Sequence, residues 1–156
     1  MVAQSVRWES DWDMALAEAR VQEKHVMVEF SNPGCSACQQ MKAVTYPDAL
    51  TARFIDKNLI AHRIEVNSPG PRPAEFKIQY TPTVVILDGR GKEHHRIVGF
   101  LPPNEFMPSL MLGVAKAHVF HGRFARARGM LDALLFEFPR SQAAAEANDL
   151  KRRMPN

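Results

Sequence analysis

The stretch HVMVEFSNPGCSACQQM, residues 25–41, holds both cysteines of this 156-residue chain. It begins with a short apolar run rich in β-branched residues and closed by Asn-Pro-Gly, which is typical of a buried strand that ends in a turn. The spacing of Cys38 and Met41 then predicts a helix whose first turn contains Cys35. The stretch therefore predicts a strand, a turn and a helix that carries two thiols at its start.

The segments around this unit complete an alternating α/β pattern. We expect a helix from about Ser10 to Lys24, and Pro47 should divide the helix that follows the cysteines. The later strands are expected in LIAHRIEV, TPTVVILD and KEHHRIVGF, with a short helix in PGPRPAEFKIQY. The turn DGRG makes the last two strands an antiparallel hairpin. This order predicts a central sheet with helices on both faces.

Two thiols separated by two residues at a helix start favour redox chemistry. The unpaired amides and the positive end of the helix dipole stabilise a thiolate at Cys35, and Cys38 lies close enough to attack a mixed disulfide. In such sites a thiol pKa can fall from about 8.5 to roughly 3.5–7.5. Cys35 is therefore predicted to attack and Cys38 to resolve, although two inert core cysteines remain the alternative interpretation.

These residues are less consistent with a metal site or a haem site than with a redox pair. A structural zinc needs four protein ligands, and histidines would have to join the two cysteines. His94 and His95 are adjacent on a predicted strand and so point to opposite faces, while His118 and His121 lie far along the chain. Haem attachment needs a histidine directly after the second cysteine, where Gln stands. We therefore expect no metal and no cofactor.

The stretches VMVEFSNPGCSACQQM and YTPTVVILDGRGKEHHRIVGF, in this order of elements, resemble the thioredoxin-fold superfamily, particularly small bacterial thioredoxin-like proteins. The resemblance covers roughly residues 8–112. It implies an α/β thioredoxin fold, with a central mixed sheet of four to five strands flanked by helices. We expect residues 1–108 to form this thioredoxin-like domain and residues 109–156 a C-terminal α-helical extension.

The resemblance also implies roles for residues around the thiols. Pro82 matches a proline that has a cis peptide bond and lies against the disulfide in the family. Glu29 matches a buried acid that accepts the proton of Cys38, and Arg63 matches a lysine paired with that acid. From the residues alone, the alternative for Pro82 is an ordinary proline at the start of a strand, and the alternative for Glu29 is a surface residue on a strand edge.

Substrate-binding positions follow from the same resemblance. The backbone of Thr81 would hydrogen-bond an extended substrate, and Gly99 matches a glycine near the groove, or is simply a strand bulge. Typical family members read W-C-G-P-C, whereas this chain has Gly34 before the first cysteine and Ser36 and Ala37 between the two. These changes remove an apolar wall and alter the amide donors, so we expect a shifted reduction potential.

The last part of the chain resembles one tetratricopeptide (TPR) repeat. This TPR-like segment carries the repeat's spacing at Gly122, Phe124, Ala127, Leu131 and Pro139. One repeat cannot bury its own apolar face, so it must pack on the thioredoxin-like body, on a second copy or on a partner. Intramolecular docking is the expected outcome, and the chain is expected to be a monomer or a homodimer.

Charge and composition limit the remaining partners. The net charge of +3 arises in the tail, where eight Lys/Arg face four Asp/Glu from Ser109 onward. The tail lacks an arginine-rich run with interleaved aromatics, so nucleic acid is not an expected partner. The first twenty residues do not read as a secretion signal and no stretch is long enough for a membrane span, so we expect a cytoplasmic protein without a membrane partner.

The pattern as a whole predicts a thiol–disulfide oxidoreductase that reduces protein or small-molecule disulfides and is recharged by an unidentified electron donor. One alternative is a non-catalytic interaction or redox-sensing module that binds a partner through the helical tail. A further alternative is a peroxide- or glutathione-linked enzyme that uses Cys35 alone.

Overall fold

The computed structural model describes residues 5–155. Within this part of the chain five strands form one sheet in the order β1-β3-β2-β4-β5. The strands are β1 (Trp8–Glu9), β2 (His25–Ser31), β3 (Leu59–Glu65), β4 (Thr83–Leu87) and β5 (Glu93–Val98). The helices are α1 (Trp12–Gln22), α2 (Ser36–Gln40), α3 (Ala49–Asn58), α4 (Arg72–Glu75), α5 (Pro103–Phe120), α6 (Phe124–Glu137) and α7 (Gln142–Arg153).

Strand β2 is the centre of the sheet and is buried along its whole length. It runs parallel to β3 and antiparallel to β4, and β4 pairs antiparallel with β5 as the predicted hairpin. Side chains alternate across the sheet, so Val26, Val28 and Phe30 join one apolar cluster while Met27 joins the other. The expected mixed sheet with helices on both faces is confirmed.

Local signals in the sequence explain where the helices begin and divide. The carboxylate of Asp11 accepts the Met14 amide and caps α1, which therefore begins at Trp12, later than the predicted Ser10. The helix after the cysteines passes into a π-helical turn, Met41–Thr45, and stops before Pro47. Asp48 then caps α3 by accepting the Thr51 amide at 3.0 Å. The proline thus divides this region as predicted.

The three C-terminal helices pack on the same side of the sheet as Met27. Their apolar residues, among them Ala127, Leu131 and Leu134, share one buried cluster with the sheet. The tail is therefore docked on its own chain, which was the expected outcome. The predicted boundary between residues 108 and 109 falls inside α5, so this helix belongs to both parts and the two-part division stays a prediction. Among residues 5–155, no helix combines the length and apolarity that a membrane crossing requires.

Candidate active site

The two cysteines lie at the start of α2, which a tight turn connects to β2. Cys35 is the N-cap of α2, and its amide donates to the Asn32 carbonyl at 3.0 Å. The Cys38 amide donates to the Sγ of Cys35 at 3.2 Å, in the way that a serine or aspartate caps a helix. Cys35 is partly exposed whereas Cys38 is only 2% exposed. The predicted strand, turn and thiol-bearing helix are all present.

The environment separates the two thiols chemically. Burial acts to raise the pKa of Cys35, but hydrogen bonds from the Cys38 thiol, from the Thr81 side chain and from the amides of Cys38 and Ala37 outweigh it and lower the pKa below its ordinary value. Burial and the neighbouring Cys35 sulfur raise the pKa of Cys38. The accessible thiol of Cys35 is thus deprotonated at lower pH than the buried thiol of Cys38.

The loop that leads into β4, the neighbour of β2 in the sheet, contacts the first thiol. The Thr81–Pro82 peptide bond is cis, and the Cys35 thiol donates to the Thr81 carbonyl at 3.2 Å. The Gly99 amide donates to the Pro82 carbonyl at 2.8 Å, and Gly99 has a φ of 90°, which favours glycine. The structure therefore brings together residues from three separate segments that the resemblance placed at one site.

The turn in front of the helix leaves this site open. Gly34 and Ser36, on either side of Cys35, are both exposed, and Ala37 is partly exposed. The Gly34 amide donates to the side chain of Asn32 at 3.1 Å, which fixes the turn without covering the sulfur. A partner can therefore approach Cys35 from this side.

Glu29 is a buried residue of the central strand and not a surface residue on a strand edge. It is fully buried, and the Nε of Arg63 donates to its Oε1 at 2.6 Å. The two residues are direct neighbours in the pairing of β2 with β3. The guanidinium of Arg63 also stacks on the ring of Trp8, 3.9 Å from its centroid. The ion pair implied by the resemblance is thus present.

Tyr46 is a member of this buried cluster that sequence reasoning missed. Its hydroxyl donates to the Oε2 of Glu29 at 2.6 Å. Burial, then the charge and the hydrogen bond of Glu29, raise the pKa of Tyr46 well above its ordinary value, and the charge of Cys38 acts in the same direction. Tyr46 thus lies within electrostatic range of both the acid and the resolving thiol. The only signal in the sequence is that an aromatic residue stands directly before Pro47. The sequence predicted only a helix break at that proline.

Exposed apolar side chains flank the loop beside the thiols. Tyr80 and Val98 are 68% and 53% exposed, and they directly precede Thr81 and Gly99 in sequence. Sequence reasoning did not single them out because isolated apolar residues carry no spacing signal. They supply apolar surface beside a site that lacks the tryptophan of W-C-G-P-C.

One tail histidine, His121, lies beside His94 and Asp88, a grouping that residue spacing did not predict. The Nε2 atoms of His94 and His121 lie 2.9 Å and 3.1 Å from the same carboxylate oxygen of Asp88. Helix α5 packs along the sheet, and its last turn returns to the hairpin between β4 and β5. Packing of a helix on a sheet brings together residues that the sequence separates widely.

Comparison with known proteins agrees with this geometry. The sequence model of the thioredoxin-like domain family matches residues 12–111. The chain is 28% identical over 102 residues to the thiol:disulfide interchange protein DsbD of Pseudoalteromonas atlantica, covering 62% of this chain and 17% of that protein. It is 28% identical over 123 residues to DsbD of Ralstonia nicotianae, covering 75% of this chain and 20% of that protein.

A solved structure supports the same assignment. The solution structure of a thioredoxin from Thermus thermophilus is 27% identical, aligns with a TM-score of 0.65, and covers 76% of this chain and 95% of its own. The chain spans only about a fifth of the length of the DsbD proteins. The predicted thioredoxin fold is confirmed, whereas the roles of the site residues stay predictions. With its family match over residues 12–111, its mixed five-stranded sheet and its C-terminal helices α5, α6 and α7, the chain belongs to the thioredoxin-like domain family.

Proposed function

We propose that this protein is a thiol–disulfide oxidoreductase in which Cys35 attacks and Cys38 resolves. The observation that carries the proposal is the asymmetry of the pair. Cys35 is the accessible thiol with a lowered pKa, and Cys38 is the buried thiol with a raised pKa. The relationship to DsbD and to thioredoxin supports the same class of chemistry.

The reaction follows from this asymmetry. The Cys35 thiolate attacks one sulfur of a client disulfide, and the other client sulfur leaves as a thiolate. Cys38 then gives up its proton and attacks the Cys35 sulfur, which releases the second client thiolate. Two electrons have passed to the client, and the protein now carries a Cys35–Cys38 disulfide. An upstream dithiol, the electron donor, must reduce this disulfide before the next cycle.

Glu29, with its hydrogen-bond donors Arg63 and Tyr46, is proposed to accept the proton that Cys38 loses when it attacks. The carboxylate is fixed by Arg63 and Tyr46 on its two oxygens. Each carboxylate oxygen has a second lone-pair site, so the group can still take part in a proton transfer. Tyr46 is in electrostatic range of Cys38 and touches Glu29, so it is placed to act between them. In this proposal Arg63 keeps the buried acid oriented.

The client is proposed to bind as an extended segment along the loop that leads into β4. The backbone of Thr81 would form strand-like hydrogen bonds with it, beside Pro82. Gly34 and Ser36 flank Cys35, Gly99 bonds to Pro82, and all three present little side-chain bulk. A protein disulfide in a flexible segment, or a small disulfide, fits such an open site.

We also propose that the protein works as a reductant in the cytoplasm, where thiols are kept reduced. Trapping thiols with an alkylating agent in intact cells tests this directly. The proposal expects most of the Cys35–Cys38 pair to be recovered as dithiol. Recovery of the pair mainly as disulfide would instead assign it to an oxidising compartment or to an oxidant role.

Reduction of insulin by dithiothreitol tests the oxidoreductase activity itself. The wild-type chain should accelerate the appearance of insulin turbidity, and Cys35→Ser should abolish the acceleration. Gln22→Ala, an exposed change on α1, is the control and should match the wild type. Cys38→Ala should accumulate a mixed disulfide through Cys35. Equal rates for the wild type and Cys35→Ser would contradict the proposal and favour an interaction module.

A further inference from the structure

A second cluster of chemically active side chains lies at the opposite end of the sheet from the thiols. Cys35 follows the last residue of β2, whereas Leu87, at the end of β4, pairs with Val26 near the start of β2. Asp88 comes directly after Leu87. The cluster therefore takes no part in the proposed thiol chemistry.

We infer that Asp88, His94 and His121 form a binding site for one divalent transition-metal ion of the zinc class. Their three ligand atoms all lie within 4.8 Å of one another. The Nε2 atoms of His94 and His121 lie 2.9 Å and 3.1 Å from the Oδ2 of Asp88. In tetrahedral zinc sites the metal lies about 2.0–2.2 Å from each ligand atom, and neighbouring ligand atoms are about 3.3 Å apart. Small side-chain movements would therefore bring these three atoms into coordination distance of one ion.

The carboxylate of Asp88 is held in the orientation that such a site needs. Its Oδ1 accepts the amides of Arg90 and Lys92 at 2.9 Å and 3.1 Å, which fixes the group within the turn. Its Oδ2 is thereby directed at both imidazoles. Hydrogen bonds of this kind, which orient a ligating carboxylate, are a regular part of metal sites.

The three ligands come from three different elements. Asp88 follows β4, His94 lies in β5, and His121 is the C-cap of α5. The side chains of Asp88 and His94 are only 6% and 5% exposed, while that of His121 is 29% exposed. A bound ion would therefore tie the end of the first tail helix to the hairpin of the sheet.

The surrounding charges decide which ions can bind. A cleft of about 330 Å³ reaches Asp88 and His121 and is also lined by Arg90, Arg123 and Arg126. The lining holds two acidic residues, Asp88 and Glu23, against five Lys or Arg residues, so a hard ion such as Mg²⁺ or Ca²⁺ finds too little negative charge. Imidazole nitrogens instead favour zinc and its transition-metal neighbours. A solvent molecule in the cleft would supply the fourth ligand.

Coordination needs the Nε2 lone pair of each histidine. In a neutral imidazole the proton moves from Nε2 to Nδ1, so no net proton is exchanged and no redox step occurs. A protonated imidazole would release its proton on binding. In the absence of metal, the same Nε2 atoms can donate to Asp88, so the ligand atoms are already close together before an ion binds.

Zinc titration of the full chain tests the inference. The Cys35→Ser/Cys38→Ser variant is used because free thiols bind zinc themselves, and this variant also separates the test from the proposed oxidoreductase activity. With a chromophoric chelator as competitor at pH 7.5, we expect one equivalent of Zn²⁺ to bind and excess Mg²⁺ or Ca²⁺ not to compete. Binding of no zinc, or displacement of zinc by Mg²⁺, would overturn the inference.

Single substitutions in the same thiol-free background locate the site. His121→Ala changes an exposed residue and should weaken zinc binding by at least about 10–100-fold, the range seen even for residues that only support a ligand. His95→Gln is the matched control, because His95 bonds to Ser109 and Lys116 on the other face of β5. Unchanged affinity in His121→Ala, or an equal loss in His95→Gln, would refute the site.

Discussion

Removal of the buried ion pair at Glu29 should measurably destabilise the protein. Arg63→Met keeps most of the aliphatic side chain, but it removes the guanidinium that stacks on Trp8 and leaves the fully buried carboxylate without its cation. Breaking a buried pair in this way costs about 3–5 kcal/mol. Because 22% of the Arg63 side chain is exposed and water can partly replace it, we expect the lower end, about 3 kcal/mol.

Urea unfolding monitored by circular dichroism measures this cost. With an m-value of about 2 kcal/mol/M, a loss of about 3 kcal/mol lowers the unfolding midpoint by roughly 1.5 M. The melting temperature of a chain of this size should fall by about 6–12 °C. Adding Glu29→Gln to Arg63→Met removes the unpaired charge and should recover part of the loss.

An exposed ion pair on α7 supplies the control for this experiment. The Arg152 side chain is 70% exposed and bonds to Asp149, which is 48% exposed. Pairs of this kind contribute at most about 1 kcal/mol, so Arg152→Met should change the midpoint only slightly. If Arg63→Met costs no more than Arg152→Met, the reasoning about the buried pair at Glu29 is refuted.

Three further substitutions give independent tests. Tyr46→Phe removes a hydrogen bond to a charged group and should cost about 1.5–3 kcal/mol in urea unfolding and slow mixed-disulfide resolution; unchanged stability would refute the hydrogen bond. Burial holds the pKa of His25 and of His118 at about 4, below the unfolded value of about 6.5. These groups therefore bind more protons when unfolded, so their stabilisation is complete above about pH 6.5 and is lost as pH falls toward 4. Metal-free His118→Gln should show a flatter dependence of unfolding free energy on pH, and an unaltered slope would contradict this. Asp48→Ala removes the α3 cap and should cost about 0.5–2 kcal/mol, measured by thermal unfolding.

The elements with strong periodic or turn signals could be predicted from the sequence. The apolar run that became β2, the break at Pro47 and the DGRG hairpin all depend on local chemistry, which the sequence carries directly. The position of Arg63 opposite Glu29 came only from the family resemblance, since strand register depends on which strands pair. The residues implied around Pro82 likewise came from the resemblance.

The features that the sequence did not yield depend on tertiary packing. Tyr46 reaches Glu29 because a π-helical turn follows α2. The spacing of apolar residues in the sequence does not predict that turn. His121 meets His94 only because α5 packs back along the sheet to the hairpin. In both cases the partners lie on different elements, and their meeting follows from the packing of those elements rather than from local sequence.

The pH dependence of alkylation of the reduced wild-type chain tests the central claim most directly. Iodoacetamide labelling followed by peptide mass spectrometry gives a separate rate for Cys35 and for Cys38. We predict that Cys35 is labelled first, with an apparent pKa below that of an ordinary thiol, and that Cys38 reacts only at higher pH. Labelling of Cys38 before Cys35, or an apparent pKa of Cys35 at or above the ordinary value, would contradict the assignment of the attacking thiol.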